Sequence, residues 1–312
     1  MKIVLAGGTG AIGELLARAW HARGDEIVVI TRRPHLAKWE MLAWDGRSPG
    51  SWMEAIDGAD VLVNLAGRSV NCRYTTSNRK AMLDSRVDST RVLGEAIGRA
   101  TRPPRVWLQS STATIYEHRY APANDEATGV VGIGADAPDA WRFSIEVAKA
   151  WEAACVTADT PQTRKVLLRS AMVMSPGKDG IFGTLLRLAR RGLAGPAGDG
   201  KQYVSWIHGT DFIAALDFLI ARDGLAGAVN VSSPNPLPNA AFMADLRRAA
   251  NVRIGLPATA WMLEAGAFVM GTETELLLKS RRVVPARLLE AGFAFRYPDW
   301  PEAAEQLCRE SA

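Results

Sequence analysis

The amino-terminal stretch MKIVLAGGTGAIG carries three glycines whose spacing suits phosphate binding. Gly7, Gly10 and Gly13 follow an apolar segment and precede a helical pattern, so backbone N–H groups should point outward at the positive end of a helix. Gly7 allows a tight turn, Gly10 lets a phosphate approach the backbone, and Gly13 lets the helix pack closely on the strand. Because a strand, a helix and a second strand are all present, the pattern favours a pyrophosphate site over a glycine-rich turn without a ligand.

Two arginines follow the second predicted strand, Glu26–Ile30. In dinucleotide sites that select NAD, an acidic residue near this point holds the ribose hydroxyls. Here Arg32 and Arg33 follow Thr31 instead, and a guanidinium can bind a 2′-phosphate through two hydrogen bonds. The pattern therefore favours NADP over NAD, and the alternative is a solvated turn.

Hydroxyl residues follow the strand predicted over Val106–Gln109, in the run SSTATIY that begins at Ser110 and ends at Tyr116. Hydroxyls at the carboxyl end of a parallel strand are well placed to meet a substrate above the sheet. They can equally cap local turns. Both interpretations stay open at this stage.

Strands and helices alternate from Met1 to about Leu168, which predicts an α/β fold with a doubly wound, Rossmann-type parallel sheet. After Met174 the alternation breaks down. We therefore predict an NADP-binding domain over 1–174 and a smaller, mainly helical substrate lobe over 175–312, with the segment of about 203–221 returning to the first core. The apolar helices after Pro257 would supply the face of a homodimer.

Composition excludes several other classes of protein. Of the 312 residues, 48% are hydrophobic, and the net charge of +4 comes from scattered pairs of positive residues. This favours a small anionic ligand, with no nucleic acid as partner. Three scattered cysteines and four histidines give neither a disulfide framework nor a metal site. No apolar run is long enough to span a membrane, so we expect a cytoplasmic protein.

Four motifs in chain order, GGTGAIG, NLAG, SSTATIY and WIHGTD, resemble the extended short-chain dehydrogenase/reductase superfamily, which includes nucleotide-sugar epimerases. The chain is more similar to an atypical, epimerase-like branch of uncharacterised oxidoreductases, through the segments ITRRP, SRVDSTRVL, AWEAA, GDGKQYVSWIH and LLLKSRRVVPARLLEAGFAFRYPD. This resemblance implies an NADP(H)-dependent oxidoreductase or epimerase acting on a small polar, nucleotide-sugar-like substrate.

The resemblance also implies a set of cofactor-binding positions. The loop residues would hold the pyrophosphate, the residues after the second strand the 2′-phosphate, and the NLAG segment would lie beside the dinucleotide. With Ser110 at the end of the fifth strand, the set is Gly7, Thr9, Gly10, Ala11, Ile12, Gly13, Thr31, Arg32, Arg33, Leu65, Ala66, Arg86, Ser110 and Val173.

The catalytic pair usual in the superfamily is missing. Its members use a hydroxyl after the fifth strand and Tyr-x-x-x-Lys on the next helix. The phenol exchanges a proton with the alkoxide that hydride transfer creates, and the lysine lowers the phenol pKa. Thr112 matches the hydroxyl position. Lys149 is present, but Ile145 stands four residues before it, and in the register set by AWEAA the two positions are Ser144 and Ala148.

Tyr116 is the nearest phenol that could replace the missing one. Under this interpretation Thr112 orients a carbonyl, while Tyr116, Ser144 or a bound water handles the proton. The alternative for Tyr116 is a ring packed under the loop that follows it. The missing pair also keeps open a different class, an NADP(H)-binding protein without turnover that senses the cofactor or acts through a partner.

Overall fold

A computed structural model describes residues 1–135, 137–177, 180–259 and 273–311, together with Met262 and Glu264. Its described strands are β1 (Lys2–Ala6), β2 (Glu26–Thr31), β3 (Glu40–Ala43), β4 (Val61–Asn64), β5 (Val106–Thr112), β6 (Arg164–Ser170), β7 (Met172–Met174), β8 (Tyr203–Val204), β9 (Trp206–His208), β10 (Gly227–Val231) and β11 (Leu237–Pro238).

In the first half of the chain the described helices alternate with strands, as the sequence pattern predicts. They are α1 (Ala11–Ala22), α2 (Thr76–Arg99), α3 (Arg142–Val156), α4 (Ile181–Arg190), α5 (Gly209–Ala221), α6 (Asn239–Ala249), α7 (Glu275–Leu278), α8 (Ala286–Glu290) and α9 (Trp300–Glu310). Short 3-10 turns cover Ser51–Ala55, Ala113–Ile115 and Asp139–Trp141.

Seven of the described strands form one parallel sheet in the order β3-β2-β1-β4-β5-β6-β10. The chain first builds outward from β1 to β3 and then returns to place β4 on the other side of β1. In sheets of this kind, ligands bind at the carboxyl ends of the strands where the order reverses. The predicted Rossmann-type sheet is confirmed, and the crevice lies beyond β1 and β4.

Helices cover both faces of this sheet, which is why its central strands carry continuous buried apolar runs over 3–6, 27–30 and 61–63. Successive side chains alternate between the faces. Ile3 and Leu5 of β1 pack with Leu16 of α1 in one core cluster. Val4 packs with Leu93 of α2 in the cluster on the opposite face.

The region after Met174 contributes to two different cores. The side chains of α4, α6 and α9 surround their own cluster, in which Phe242 stacks on Trp300 with ring centroids 4.1 Å apart. In contrast, α5 packs on the large sheet, and β10 is its edge strand beside β6. The return to the first core therefore extends to β10, beyond the predicted segment of about 203–221. The domain boundary after Met174 stays a prediction.

The described residues show neither a membrane-spanning helix nor a metal-binding cluster. None of the described helices combines the length and the apolar character that crossing a bilayer requires. Within the same described residues, no group of three His, Cys, Asp or Glu side chains is arranged to hold a metal ion.

Candidate functional site

The loop between β1 and α1 needs glycine at its start and at its end. Gly7 has a φ of +76°, and a Cβ there would lie 2.7 Å from the Cα of Ala66, so both conformation and space exclude a side chain. A Cβ on Gly13 would lie 2.4 Å from the backbone of Gly8. These distances agree with the tight turn expected at Gly7 and the close helix packing expected at Gly13.

Gly10 has the opposite environment. Among the described residues, a Cβ there would meet no heavy atom within 4 Å, and none of their side chains caps the N-terminus of α1, where Gly10 is the N-cap residue. Helix N-termini carry unpaired N–H groups and a partial positive charge. The space and the polarity at Gly10 therefore fit a pyrophosphate group.

A buried amide holds the neighbouring loop against Gly7. Asn64, the last residue of β4, accepts a hydrogen bond from the backbone N–H of Ala66 at 3.0 Å. Its Nδ2 donates to Thr90 of α2 at 3.1 Å and to Gln109 of β5 at 3.0 Å. Because three elements fix this amide, the close approach of Ala66 to Gly7 is built into the fold.

These loops enclose a cleft of about 300 Å³ at the carboxyl ends of β1, β2 and β4. Half of the predicted cofactor-binding set lines it, namely Gly7, Thr9, Gly10, Thr31, Arg32, Leu65 and Ala66. The cleft also includes residues outside the predicted cofactor-binding set, namely Trp44, Asp45, Gly46, Arg47, Gly67, Arg68, Asp84, Ser85, Asp88 and Ser89.

The remaining members of the predicted set lie elsewhere. Ala11, Ile12 and Gly13 form the first turn of α1 and are not among the residues that line the cleft. Arg33 is exposed. Ser110 lies within β5, and Val173 lies within β7, where it pairs with Ile207. For these residues, contact with a cofactor stays a prediction.

Arg86 lies beneath the loop that follows β4. Its Nη1 donates to the carbonyl oxygens of Arg68 and Met82, both at 3.1 Å, and its guanidinium lies 5.0 Å from the centre of the Trp151 ring. Burial lowers the pKa of Arg86. A Cβ on Gly67 would come within 3.2 Å of its Cζ, so this arginine supports the wall of the cleft.

A second arginine, Arg47, lines the cleft together with Arg32. Arg47 follows β3, and a carboxylate turn holds its backbone, since Asp45 Oδ1 accepts from the N–H groups of Arg47 and Ser48 at 2.8 Å each. These backbone hydrogen bonds lower the pKa of Asp45. Because β3 lies beside β2, the loops that follow the two strands bring Arg32 and Arg47 to the lining of the same cleft.

The predicted catalytic hydroxyl has a local partner. Thr112 Oγ1 accepts from the backbone N–H of Thr114 at 3.1 Å and thereby caps the 3-10 turn Ala113–Ile115. The capping interpretation therefore applies, and it leaves a role toward a substrate as a prediction. On α3, Lys149 is exposed, whereas Ile145 and Ala148 are buried in the core.

Tyr116 is enclosed in the core. Its side chain is 1% exposed, its hydroxyl donates to Asn230 Oδ1 at 2.9 Å, and it accepts from Arg169 Nη1 at 2.9 Å. Burial raises the pKa of this phenol. The turn before it directs the ring back under the loop, so the packed-ring interpretation is correct and the role of proton donor to a substrate has no support here.

Ser144 belongs to a buried polar cluster that joins three distant parts of the chain. We call it the Glu275 cluster, and its members are Tyr74, Ser144, Glu275, Lys279 and Arg281. Ser144 Oγ donates to Glu275 Oε2 at 2.5 Å, and Lys279 Nζ donates to the carbonyl oxygen of Thr114 at 2.7 Å. Burial raises the pKa of Glu275 and lowers that of Lys279 to about 8.

Lys279 should make the stability of the protein depend on pH. Its folded pKa of about 8 lies below the value of about 10.4 expected in the unfolded chain, so between these values the unfolded chain binds more protons. The free-energy cost of burying the charged ammonium of Lys279 is fully present below about pH 8. It is lost as the pH rises from about 8 to about 10.4. Relative to a Lys279→Met variant, wild type should therefore gain up to about 1.4 kcal/mol of unfolding free energy per pH unit.

Urea unfolding of wild type and of Lys279→Met between about pH 8 and pH 10 measures this gain. Because only the difference between the two proteins is compared, the titration of other groups cancels. A difference that stays constant over this range would contradict a buried, shifted ammonium at position 279.

Comparison with known proteins gives the family. Residues 3–232 match the NAD dependent epimerase/dehydratase family, and residues 258–307 match a domain of unknown function, DUF1731. The epimerase family protein ML0860 of Mycobacterium leprae is 32% identical over 96% of this chain and 94% of its own length.

Solved structures share the whole fold. The crystal structure of human epimerase family protein SDR39U1 with NADPH has a TM-score of 0.84 and 28% identity, covering 99% of both chains. The UDP-N-acetylglucosamine 4-epimerase of Bacillus cereus has a TM-score of 0.73 at 16% identity, covering 99% of this chain and 96% of its own, which shows the fold alone. The resemblance to an atypical, epimerase-like branch is confirmed, and the chain belongs to the NAD dependent epimerase/dehydratase family.

Proposed function

We propose that this protein is a cytoplasmic, NADP(H)-dependent oxidoreductase or epimerase of a small polar, nucleotide-sugar-like substrate. The observation that carries the proposal is the cleft itself, because Gly10 at the N-terminus of α1 lines the same cavity as Arg32 and Arg47. A similar human protein crystallised with NADPH supports the choice of cofactor. Because the positive charges are scattered along the sequence, the proposal includes no nucleic-acid partner. It does include a homodimer.

Each end of the cleft has a defined task in this proposal. The N–H groups at Gly10 hold the pyrophosphate, and Arg32 and Arg47 hold the 2′-phosphate. Leu65 and Ala66 form the apolar wall beside the dinucleotide. When bound, the nicotinamide supplies or accepts a hydride.

Replacing Gly10 by valine should weaken dinucleotide binding much more than it weakens the fold, where the only cost is a poorer N-cap for α1. None of the described residues has a heavy atom within 4 Å of a Cβ at this position, so the valine side chain would enter open space where the proposed pyrophosphate lies. Losing one charge-assisted hydrogen bond costs about 1.5–3 kcal/mol, so NADPH and NADH should both bind at least about tenfold more weakly. Calorimetric titration measures the loss, and thermal unfolding checks the fold.

The matched control for this test is Gly13→Ala, whose Cβ would lie 2.4 Å from the Gly8 backbone. This variant should lose stability, because backbone atoms must move to admit the methyl group. Unchanged NADPH affinity in Gly10→Val would contradict the pyrophosphate site.

The experiment that tests the activity has two stages. NADPH binding is first established by calorimetry, and NADPH absorbance is then followed with a panel of carbonyl compounds, while product analysis follows a panel of UDP-sugars with NADP⁺. Binding with turnover of at least one panel member is the expected result. Failure to bind NADPH would overturn the proposal.

The second candidate is an NADP(H)-binding protein without turnover. Its support is specific: α3 carries no phenol where the superfamily usually has one, and Tyr116 is enclosed in the core. NADPH binding without turnover of any panel member is the result that favours this candidate.

A further inference from the structure

The phenol that α3 lacks is present on another element. Tyr74 lies between β4 and α2, is only partly buried, and places its hydroxyl 3.5 Å from Ser144 Oγ. Its backbone N–H donates to Glu273 Oε1 at 2.7 Å, and its ring packs edge-on against Phe143, with ring centroids 5.3 Å apart. Tyr74 is thus fixed beside the first turn of α3, the position from which a catalytic phenol is expected.

The hydrogen bonds at Ser144 have a defined direction. Because Ser144 Oγ donates its one hydrogen to Glu275 Oε2 at 2.5 Å, its contact with Tyr74 must be one in which the phenol donates. The chain of donors runs from Tyr74 through Ser144 and ends on Glu275. That carboxylate is 2% exposed, and Lys279 Nζ lies 3.9 Å from its other oxygen.

This chain of hydrogen bonds lies next to the turn that carries the predicted substrate hydroxyl. Lys279 Nζ donates to the carbonyl oxygen of Thr114 at 2.7 Å, and Arg281 Nε donates to Thr114 Oγ1 at 3.0 Å. Thr114 in turn donates its N–H to Thr112, the last residue of β5. The Glu275 cluster therefore adjoins the carboxyl end of β5, the edge at which sheets of this kind bind substrates.

We infer that Tyr74 is the catalytic acid–base of this protein, and that Ser144 and Glu275 carry its proton. The inference rests on the proposed function. In the oxidation direction, a hydride leaves the substrate carbon for the nicotinamide, so the carbon loses two electrons. The substrate hydroxyl passes its proton to Tyr74, Tyr74 passes one to Ser144, and Ser144 passes one to Glu275. Reduction reverses each transfer.

The electrostatics of the cluster suit this sequence of transfers. Burial raises the pKa of Glu275, so the ionised carboxylate is a better acceptor for the proton that Ser144 passes to it. Burial also raises the pKa of Tyr74, which keeps the phenol protonated at rest. The charged groups that face Tyr74 from the elements around it are Glu273, Glu275, Arg281 and Arg86.

The test uses the full chain labelled with 3-fluorotyrosine, whose phenol ionises closer to neutral pH, and follows each residue by ¹⁹F NMR. The chain has five tyrosines, and Tyr74→Phe identifies the resonance of interest. If Tyr74 lies beside the nicotinamide, the positive charge of the oxidised ring should lower its titration midpoint by about one pH unit in the NADP⁺ complex relative to the NADPH complex. Equal midpoints in the two complexes would overturn the inference.

The relay is tested in the same chain without cofactor. Glu275→Gln removes the negative charge but keeps an acceptor for Ser144, so the midpoint of Tyr74 should fall. Ser144→Ala provides a second variant, and Glu146→Gln on the exposed face of α3 is the control that should change nothing. An unchanged midpoint in both relay variants would overturn the relay.

The two proposals fail in different ways. Absence of NADPH binding in calorimetry overturns the proposed function, and with it the role of Tyr74. NADPH binding with equal Tyr74 midpoints in the two complexes overturns the role of Tyr74 alone.

Discussion

Replacing Glu152 by alanine is expected to lower the free energy of unfolding by about 3–5 kcal/mol, because it leaves a buried guanidinium without its counter-charge. Glu152 on α3 accepts from Arg169 Nε at 2.9 Å and from Arg169 Nη2 at 2.8 Å, and Ser111 Oγ donates to it at 2.6 Å. The side chains of Glu152 and Arg169 are 11% and 12% exposed. Urea unfolding at neutral pH measures the loss.

Glu146 provides the matched control because it lies on the same helix with an exposed side chain. Glu146→Ala should change the free energy of unfolding by less than about 0.5 kcal/mol. A loss below about 1 kcal/mol in Glu152→Ala would show that Arg169 finds other partners or water. In that case the ion pair between Glu152 and Arg169 would not be what holds Tyr116 in the core.

Replacing either Arg32 or Arg47 by alanine is expected to cost about 1.5–3 kcal/mol of NADPH binding, tenfold or more in affinity. NADH has no 2′-phosphate, so its affinity should be unchanged. The double variant should bind the two cofactors equally. Calorimetric titration of each variant with each dinucleotide measures these differences.

Arg33→Ala separates the sequence-based expectation from the structural one. Both Arg33 and Arg47 are exposed, but only Arg47 is among the residues that line the cleft. We therefore expect Arg33→Ala to weaken NADPH binding less than Arg47→Ala. The opposite order, or equal affinity of wild type for NADPH and NADH, would contradict the assignment of the 2′-phosphate site.

The fold could be predicted because its signals are local. The apolar strand before Gly7, the glycine spacing and the alternation of strands and helices each need only neighbouring residues to be read. The glycine loop was predictable for the same reason, since Gly7 and Gly13 satisfy steric requirements of one short turn. β10 was missed as a strand of the main sheet because its partner, β6, lies more than fifty residues earlier.

The site was less predictable because its residues meet through long-range contacts. Arg47 joins Arg32 only because β3 lies beside β2, and the turn that Asp45 caps is the one local signal for it. Tyr116 follows a hydroxyl-rich strand, a pattern that gives no indication of its bond to Asn230 in a distant strand. Sequence spacing alone does not reveal such contacts.

The carboxyl-terminal segment contributes charged side chains to the region around α3 and the end of β5. Within the segment that matches DUF1731, Glu275 and Lys279 are buried, and together with the half-buried Arg281 they contact α3 and the turn after β5. Their chain positions are more than 130 residues from Ser144 and Thr114. The module therefore supplies the charged groups that surround Ser144, where the usual tyrosine is absent.

The most direct measurement of the central claim is a crystal structure of this protein with NADPH. We predict the pyrophosphate at the N-terminus of α1 over Gly10, the 2′-phosphate between Arg32 and Arg47, and the nicotinamide beside Tyr74. A dinucleotide bound outside this cleft, or with its 2′-phosphate turned away from both arginines, would contradict the account.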